Sequence, residues 1–142
     1  MKAQPSSALP LSPHGQQVLT LLRRNRQPLS AYAILDKLRA EGIKAPTTVY
    51  RALAALTKQG IVHRIESLNA YVACQSHGCD DGHAHGVQFA ICTACGTVQE
   101  LPPQTSGLGG LEKSSKKFLV AVTRQVVELC GICKACAARQ KA

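Results

Sequence analysis

No stretch of this 142-residue chain is long and apolar enough to span a bilayer, which argues against a membrane protein. Nor does the chain start with a charged segment followed by an apolar core of the kind that directs secretion, so a reducing cytosol is the expected compartment. No internal repeat or low-complexity tract appears. Acidic residues are scarce: eight Asp and Glu stand against seventeen Lys and Arg, a formal charge of +9. The imbalance is uneven. Residues 1–70 hold ten basic and three acidic side chains, +7, whereas residues 71–142 hold seven and five, +2. Such an asymmetry points the first half at a polyanion. At this length the chain forms one domain or two small ones, and two small ones would each bury little apolar surface without a metal staple. Seven cysteines are available for one, because paired thiols in a reducing compartment more often hold metal than form disulfides.

The first half reads as three helices and a hairpin. Residues 1–10 are rich in Pro, Ser and Ala and form an arm. From Pro13, with Ser12 as N-cap, Val18, Leu19, Leu21 and Leu22 share one face of a first helix ending near Asn25. Ser30 caps a second helix with Ala31, Ile34, Leu35 and Leu38 inward and Gly42 as its stop. Thr47 is expected to cap a third, in which Val49, Leu53 and Leu56 face the core and Gly60 ends the run. Two short helices joined by a brief turn make a helix-turn-helix, whose second member enters the major groove. On that member Tyr50 and Arg51 lie off the apolar stripe. Arg presents the planar fork that fits guanine O6 and N7, and Tyr offers a ring edge and a hydroxyl. Thr47 and Thr48 can hydrogen-bond phosphate at the helix N-terminus. The competing reading is a solvated helix face with a cap. IVHRIE and AYVAC, joined by Ser67, Leu68 and Asn69, then form a hairpin where a winged helix has its wing.

The second half is organised by its sulfurs. QSHGCDDGHAHG is a polar, Gly-rich loop, and VQFAIC and GTVQEL bracket Cys92 and Cys95 as the strands of a knuckle. Residues 102–110 break the pattern. GLEKSSKKFL reads as a basic amphipathic helix, and VTRQVVEL as a last strand running into Cys130, Cys133 and Cys136. Two Cys-x-x-Cys pairs, Cys92/Cys95 and Cys133/Cys136, are the pattern of a closed tetrahedral zinc site. A thioredoxin-like redox pair and four unrelated core thiols are the alternatives, and the first lacks its usual βαβ setting. A second set, His63, Cys74, His83 or His85, and Glu100, mixes thiolate, imidazole and carboxylate, a donor set suited to zinc. A lone His on a strand is also commonly a surface residue. His77 and Cys79 are further possible ligands, and Cys130 is left over.

Taken together, APTTVYRALAALTKQGIVHRIE, AYVAC, HGVQFAICTACGTVQE and GICKAC resemble the ferric uptake regulator family, most closely its zinc uptake regulator branch, over nearly the whole chain. The resemblance implies an α+β protein: an N-terminal winged helix-turn-helix followed by a small α/β dimerisation domain with a four-cysteine zinc site. Matched residue by residue, the structural zinc falls on Cys92, Cys95, Cys133 and Cys136. The regulatory zinc falls on His63, Cys74, His85 and Glu100, with His83 off the family's spacing. DNA contacts carry over to Tyr32, Tyr50 and Arg51. Two departures stand out: Ser12-Pro13-His14-Gly15 lacks the Arg that usually opens the first helix, and a short arm replaces the basic helix before it.

The organisation expected is a DNA-binding domain over residues 1–73, a hinge and metal loop over 74–86, and a dimerisation domain over 87–142. The expected function is zinc-dependent repression of zinc-uptake genes by a cytoplasmic homodimer bound to palindromic operator DNA, with one structural and at least one regulatory zinc per subunit. Iron or peroxide sensing on the same scaffold is the alternative, but it fits poorly with a thiolate at Cys74. An enzyme is not expected: a zinc deaminase needs a general-base Glu in an His-x-Glu arrangement, and His83-Ala84-His85 has none.

Overall fold

The computed structural model describes residues 10–25, 27–75, 87–102, 109–122 and 125–141. Helix α1, Pro13–Arg24, starts where the Ser12 hydroxyl accepts the Gly15 N–H at 3.1 Å and proline supplies the first helical residue. It buries Val18, Leu19 and Leu22, while Leu21 is only half-buried. Helix α2, Ala31–Leu38, is capped by Ser30 through the Ala33 N–H at 3.2 Å. It tightens into a 3-10 turn, Arg39–Glu41, that ends on Gly42 at φ +97°, a left-handed conformation suited to glycine. Helix α3, Pro46–Lys58, follows.

The cap expected at Thr47 is not there. Ala45 is the N-cap residue and no side chain closes the first turn. Proline at the first position, with its φ already helical, lets the helix begin two residues earlier, which moves Thr47 inside the first turn. The inward stripe is as expected: Val49, Leu53 and Leu56 are all buried, joined by Ala52. Fourteen buried residues from the three helices, Ile43 and the hairpin form one core.

Strands β1, Val62–Ile65, and β2, Ala70–Ala73, pair antiparallel around a 3-10 turn, Glu66–Leu68. Asn69 turns the corner at φ +45°, in the left-handed region that Asn tolerates better than most residues. Leu29 adds a bridge to Tyr71, so the hairpin is tied to the segment before α2. This is a winged helix.

The second domain is a three-stranded sheet in the order β4-β3-β5, built from β3, Val87–Cys92, β4, Val98–Leu101, and β5, Val126–Gly131. β3 and β4 form an antiparallel hairpin through the first knuckle. β5 returns parallel to β3 after helix α4, Gly109–Ser115. That helix is shorter than GLEKSSKKFL promised, and Leu111 and Phe118 are exposed rather than packed on the sheet. A last helix, α5, Lys134–Gln140, was not foreseen; Cys133 stands at its N-cap. The second core is small: Ile65 of the wing with Phe89, Ile91 and Val98 of the sheet. No described helix is long and apolar enough to cross a membrane.

Candidate metal centres and nucleic-acid interface

The first knuckle is a tight loop in which the Cys92 N–H donates to the Thr97 carbonyl and the Gly96 N–H to the Cys92 carbonyl, both at 2.9 Å. Gly96 sits at φ +73°, where a side chain would be strained. Thr93 then ties this loop to the end of β5, donating its N–H to the Gly131 carbonyl at 2.8 Å. The effect is to bring Cys92 and Cys95 against Cys133 and Cys136, with all four sulfurs within 4.8 Å of one another. Cys95 and Cys133 are 3.9 Å apart. With zinc–sulfur bonds of about 2.3 Å, the edge of a regular tetrahedron is about 3.8 Å, so the spacing fits one ion.

The electrostatics agree. Backbone N–H groups, that of Cys133 foremost and then that of Cys95, lower the Cys92 thiol to about 6. The Thr97 hydroxyl and N–H pull Cys95 down as well. Cys136 is pushed up to about 12, by its neighbours Cys133 and Cys95 first and by burial after them. Crowded thiols cannot all ionise against one another, and a divalent cation is what removes the conflict. The residues therefore fit a zinc ion. Cys130, exposed on β5, is not one of this group.

The second group lies where the wing meets the second domain. His63 on β1, Cys74 just past β2 and Glu100 on β4 offer ligand atoms within 4.8 Å of one another. Glu100 Oε1 is 3.8 Å from the Cys74 sulfur, and Oε2 accepts the Gln75 N–H at 3.0 Å. The His63 ring packs edge-on against Phe89 with centroids 5.9 Å apart. Cys74 is disulfide-bonded in this structure, so it can ligate a metal only after reduction to the thiolate. One more donor would complete a tetrahedron. His77, Cys79, His83 and His85, from which sequence reasoning drew that donor, lie outside the described residues.

The other candidate surface is on the helices. Tyr50 is 47% exposed and Tyr32 is 66% exposed. Arg51 and Thr47 are exposed as well, and Thr48 is half-buried at the start of α3. No described acidic group pairs with Arg51, and the ion pairs among the described residues are Arg39–Asp36 and Arg64–Glu66. An exposed guanidinium beside an exposed phenol on the second helix of a helix-turn-helix is equipped to read a groove edge. Sequence reasoning missed Phe89, the residue on which the wing rests, and Glu128, whose partners are more than sixty positions away in the chain. The apolar run VQFAIC marked Phe89 as a strand residue and gave no sign of its contact with the wing.

A winged helix carrying a thiol-rich α/β domain and a mixed His, Cys and Glu cluster at the joint defines a class of metal-binding regulators. A sequence profile of the ferric uptake regulator family matches residues 7–119, and the chain belongs to that family. Its members are transcription regulators, not enzymes. The chain is 38% identical over 128 residues to the zinc uptake regulation protein of Escherichia coli (strain K12), covering 89% of this chain and 72% of that one. Among solved structures, it is similar to a zinc uptake regulator complexed with zinc and DNA. That similarity has a TM-score of 0.84 and 35% identity over 96% of this chain and 89% of the other. It is likewise similar to holo XcZur, with a TM-score of 0.79 and 38% identity over 92% and 88% of the two chains.

Proposed function

We propose that the protein is a zinc-responsive transcriptional repressor, which binds palindromic operator DNA as a homodimer when zinc-loaded and represses genes for zinc uptake in the cytoplasm. The observation that carries this reading is the convergence of His63, Cys74 and Glu100 across the joint between wing and sheet. A metal held there draws on both domains, so its binding free energy depends on how the winged helix sits on the dimerisation domain. A ligand shifts a two-state equilibrium only by its differential affinity for the two states, and ligands from two domains provide that difference.

The assignments follow. Cys92, Cys95, Cys133 and Cys136 hold a structural zinc that supports the fold. His63, Cys74 and Glu100, with His85 as the fourth donor, hold the regulatory one; His77, Cys79 and His83 are lesser candidates. Residues 1–73 form the DNA-binding domain, 74–86 the hinge and metal loop, and 87–142 the dimerisation domain. Within the reader, Tyr50 and Arg51 meet base edges, and Tyr32, Thr47 and Thr48 meet the backbone or groove wall. The zinc-regulator relatives support this assignment over iron or peroxide sensing, and a thiolate at Cys74 suits zinc better than it suits iron(II) or manganese(II). The homodimer is supported by apolar side chains that the second domain leaves in water, among them Phe118, Leu129 and Ile132.

In operation, the structural zinc keeps the dimerisation domain folded and the regulatory zinc gathers wing, hinge and sheet. The two heads of the dimer are thereby matched to successive major grooves. Coupling of this kind is typically about 1–3 kcal/mol, a change of roughly 5- to 150-fold in DNA affinity. The test is a gel shift on duplexes enriched from a random pool, with EDTA and then with zinc, iron(II) or manganese(II) restored at buffered free concentrations. Shifts restored by zinc at the lowest free metal are expected. Binding that ignores the chelator, or answers to iron alone, overturns the reading.

A further inference from the structure

One row of the second sheet meets the wing at three points. Phe89, in the central strand, is directly opposite Glu100 on β4 and directly opposite Glu128 on β5. Directly opposed residues on neighbouring strands project from the same face, so these three side chains form a line. Each meets a different part of the wing. Phe89 packs on Ile65 and the His63 ring, and Glu100 takes the Gln75 N–H at the wing's base. Glu128 reaches the far end, where its two oxygens accept the Glu66 N–H at 2.7 Å and the Ser67 N–H at 3.2 Å.

Those two N–H groups open the 3-10 turn at the wing tip, Glu66–Leu68. They are donors that the turn itself cannot satisfy, and a carboxylate there completes them with charge-assisted bonds. We propose that Glu128 is a positioning residue for DNA recognition, holding the wing tip to the dimerisation domain as the second anchor of an arrangement whose first anchor is the regulatory metal site. The two anchors do different work. The metal gathers His63, Cys74 and Glu100 at one end of the row, and Glu128 holds the tip at the other end. Together with the apolar contact of Ile65 with Phe89, Ile91 and Val98 and the hydrogen bond from Gln27 to Thr97, the tip attachment limits rotation about the metal site and so helps fix the direction in which α3 is presented. Burial raises the Glu128 carboxyl, yet hydrogen bonds from Ser67 and Glu66 outweigh it and leave it below its ordinary value, as expected for a carboxylate working as an acceptor.

This inference rests on the zinc-dependent DNA binding proposed above, and the experiment separates the two. Glu128→Ala and Glu128→Gln are compared with the wild type in the full-length protein. Zinc content, amide hydrogen exchange at Glu66 and Ser67, and affinity for a duplex enriched by the zinc-loaded wild type at fixed free zinc are measured. Both variants are expected to keep the wild-type zinc content and to exchange those amides faster. Glu128→Ala should bind the duplex about tenfold more weakly, and Glu128→Gln, which keeps one acceptor oxygen, should fall between. If the alanine variant does not fold, the isosteric glutamine variant carries the test. Wild-type amide exchange, wild-type DNA affinity, or loss of zinc together with DNA binding in Glu128→Gln would each overturn the inference. A wild-type protein whose DNA binding ignores zinc would sink the proposed function instead, and the amide exchange would still report on the clamp.

Discussion

Replacing Cys92 with Ser is expected to unfold the second domain rather than merely blunt its response to metal. Among the described residues, four buried side chains form that domain's apolar cluster, with Val72 and Val87 half-buried against it, and one of the four, Ile65, comes from the wing. At roughly 1.5–3 kcal/mol for each buried side chain, the cluster contributes on the order of 6–12 kcal/mol before ordering costs. A structural zinc contributes an apparent ~10–16 kcal/mol at neutral pH, so the ion rivals the whole cluster. The first domain has no such dependence, with fourteen buried residues and none of the four sulfurs. Cys92→Ser, or Cys136→Ser as an independent variant, should therefore give a protein whose residues 13–73 stay protected in limited proteolysis while the region beyond residue 87 is cleaved. The cooperative melt of that region, followed by circular dichroism, should disappear. A variant that stays dimeric, holds one zinc fewer and melts like the wild type would refute the reasoning.

Arg51→Ala should lower affinity for the selected duplex by about 1–3 kcal/mol and relax preference at one base pair per half-site. If Arg51 holds only phosphate, binding to selected and random duplexes will weaken in parallel, which competition assays distinguish. Gly96→Ala forces a side chain into the left-handed conformation at the first knuckle and should cost about 1–2 kcal/mol. An unchanged melting temperature and zinc affinity in a chelator competition would argue that the knuckle relaxes freely.

Much of the fold was readable because its first half follows a simple rule: apolar side chains at helical spacing face the core, and Ser12, Ser30 and Gly42 mark the ends. The strand written in VQFAIC coincides with β3, a short apolar run of strand length. Where reading failed, local signals were overridden or missing. Thr47 resembled a cap only because the preceding Pro46 was not credited with starting the helix. Helix α5 buries a single residue, Cys136, and so has no stripe to betray it; the sulfur cluster organises it instead. Of the metal sets, spacing alone gave the two Cys-x-x-Cys pairs, because a loop of two residues leaves few other geometries. The trio of His63, Cys74 and Glu100 comes from three elements, so its donor chemistry made it only a weaker candidate, and the resemblance to known regulators strengthened it. Glu128 had neither spacing nor resemblance to mark it, since its role is set by register across the sheet.

The sharpest remaining prediction concerns the fourth donor of the regulatory site. His85 stands seven residues before Cys92, at the family's ligand spacing, and His83 stands two residues earlier on the same run. Cys74→Ser and His85→Ala should each leave a folded, dimeric protein, because the cluster of Cys92, Cys95, Cys133 and Cys136 uses none of their atoms. What each should lose is zinc-dependent DNA binding. Without a full set of donors drawn from wing, hinge and sheet, zinc has little differential affinity for the two arrangements, and a metal without it shifts nothing. His83→Ala should do much less. The two histidines differ by two positions and share chemistry, so each is the other's control for composition, charge and general loop effects. Zinc stoichiometry and duplex affinity are measured for all three variants at one buffered free zinc concentration, under reducing conditions that keep Cys74 available. Loss of the response in His83→Ala with retention in His85→Ala would show that the wrong histidine is assigned, and retention in both would remove the hinge loop from the mechanism. Retention in Cys74→Ser would go further and break the link between metal binding and wing position.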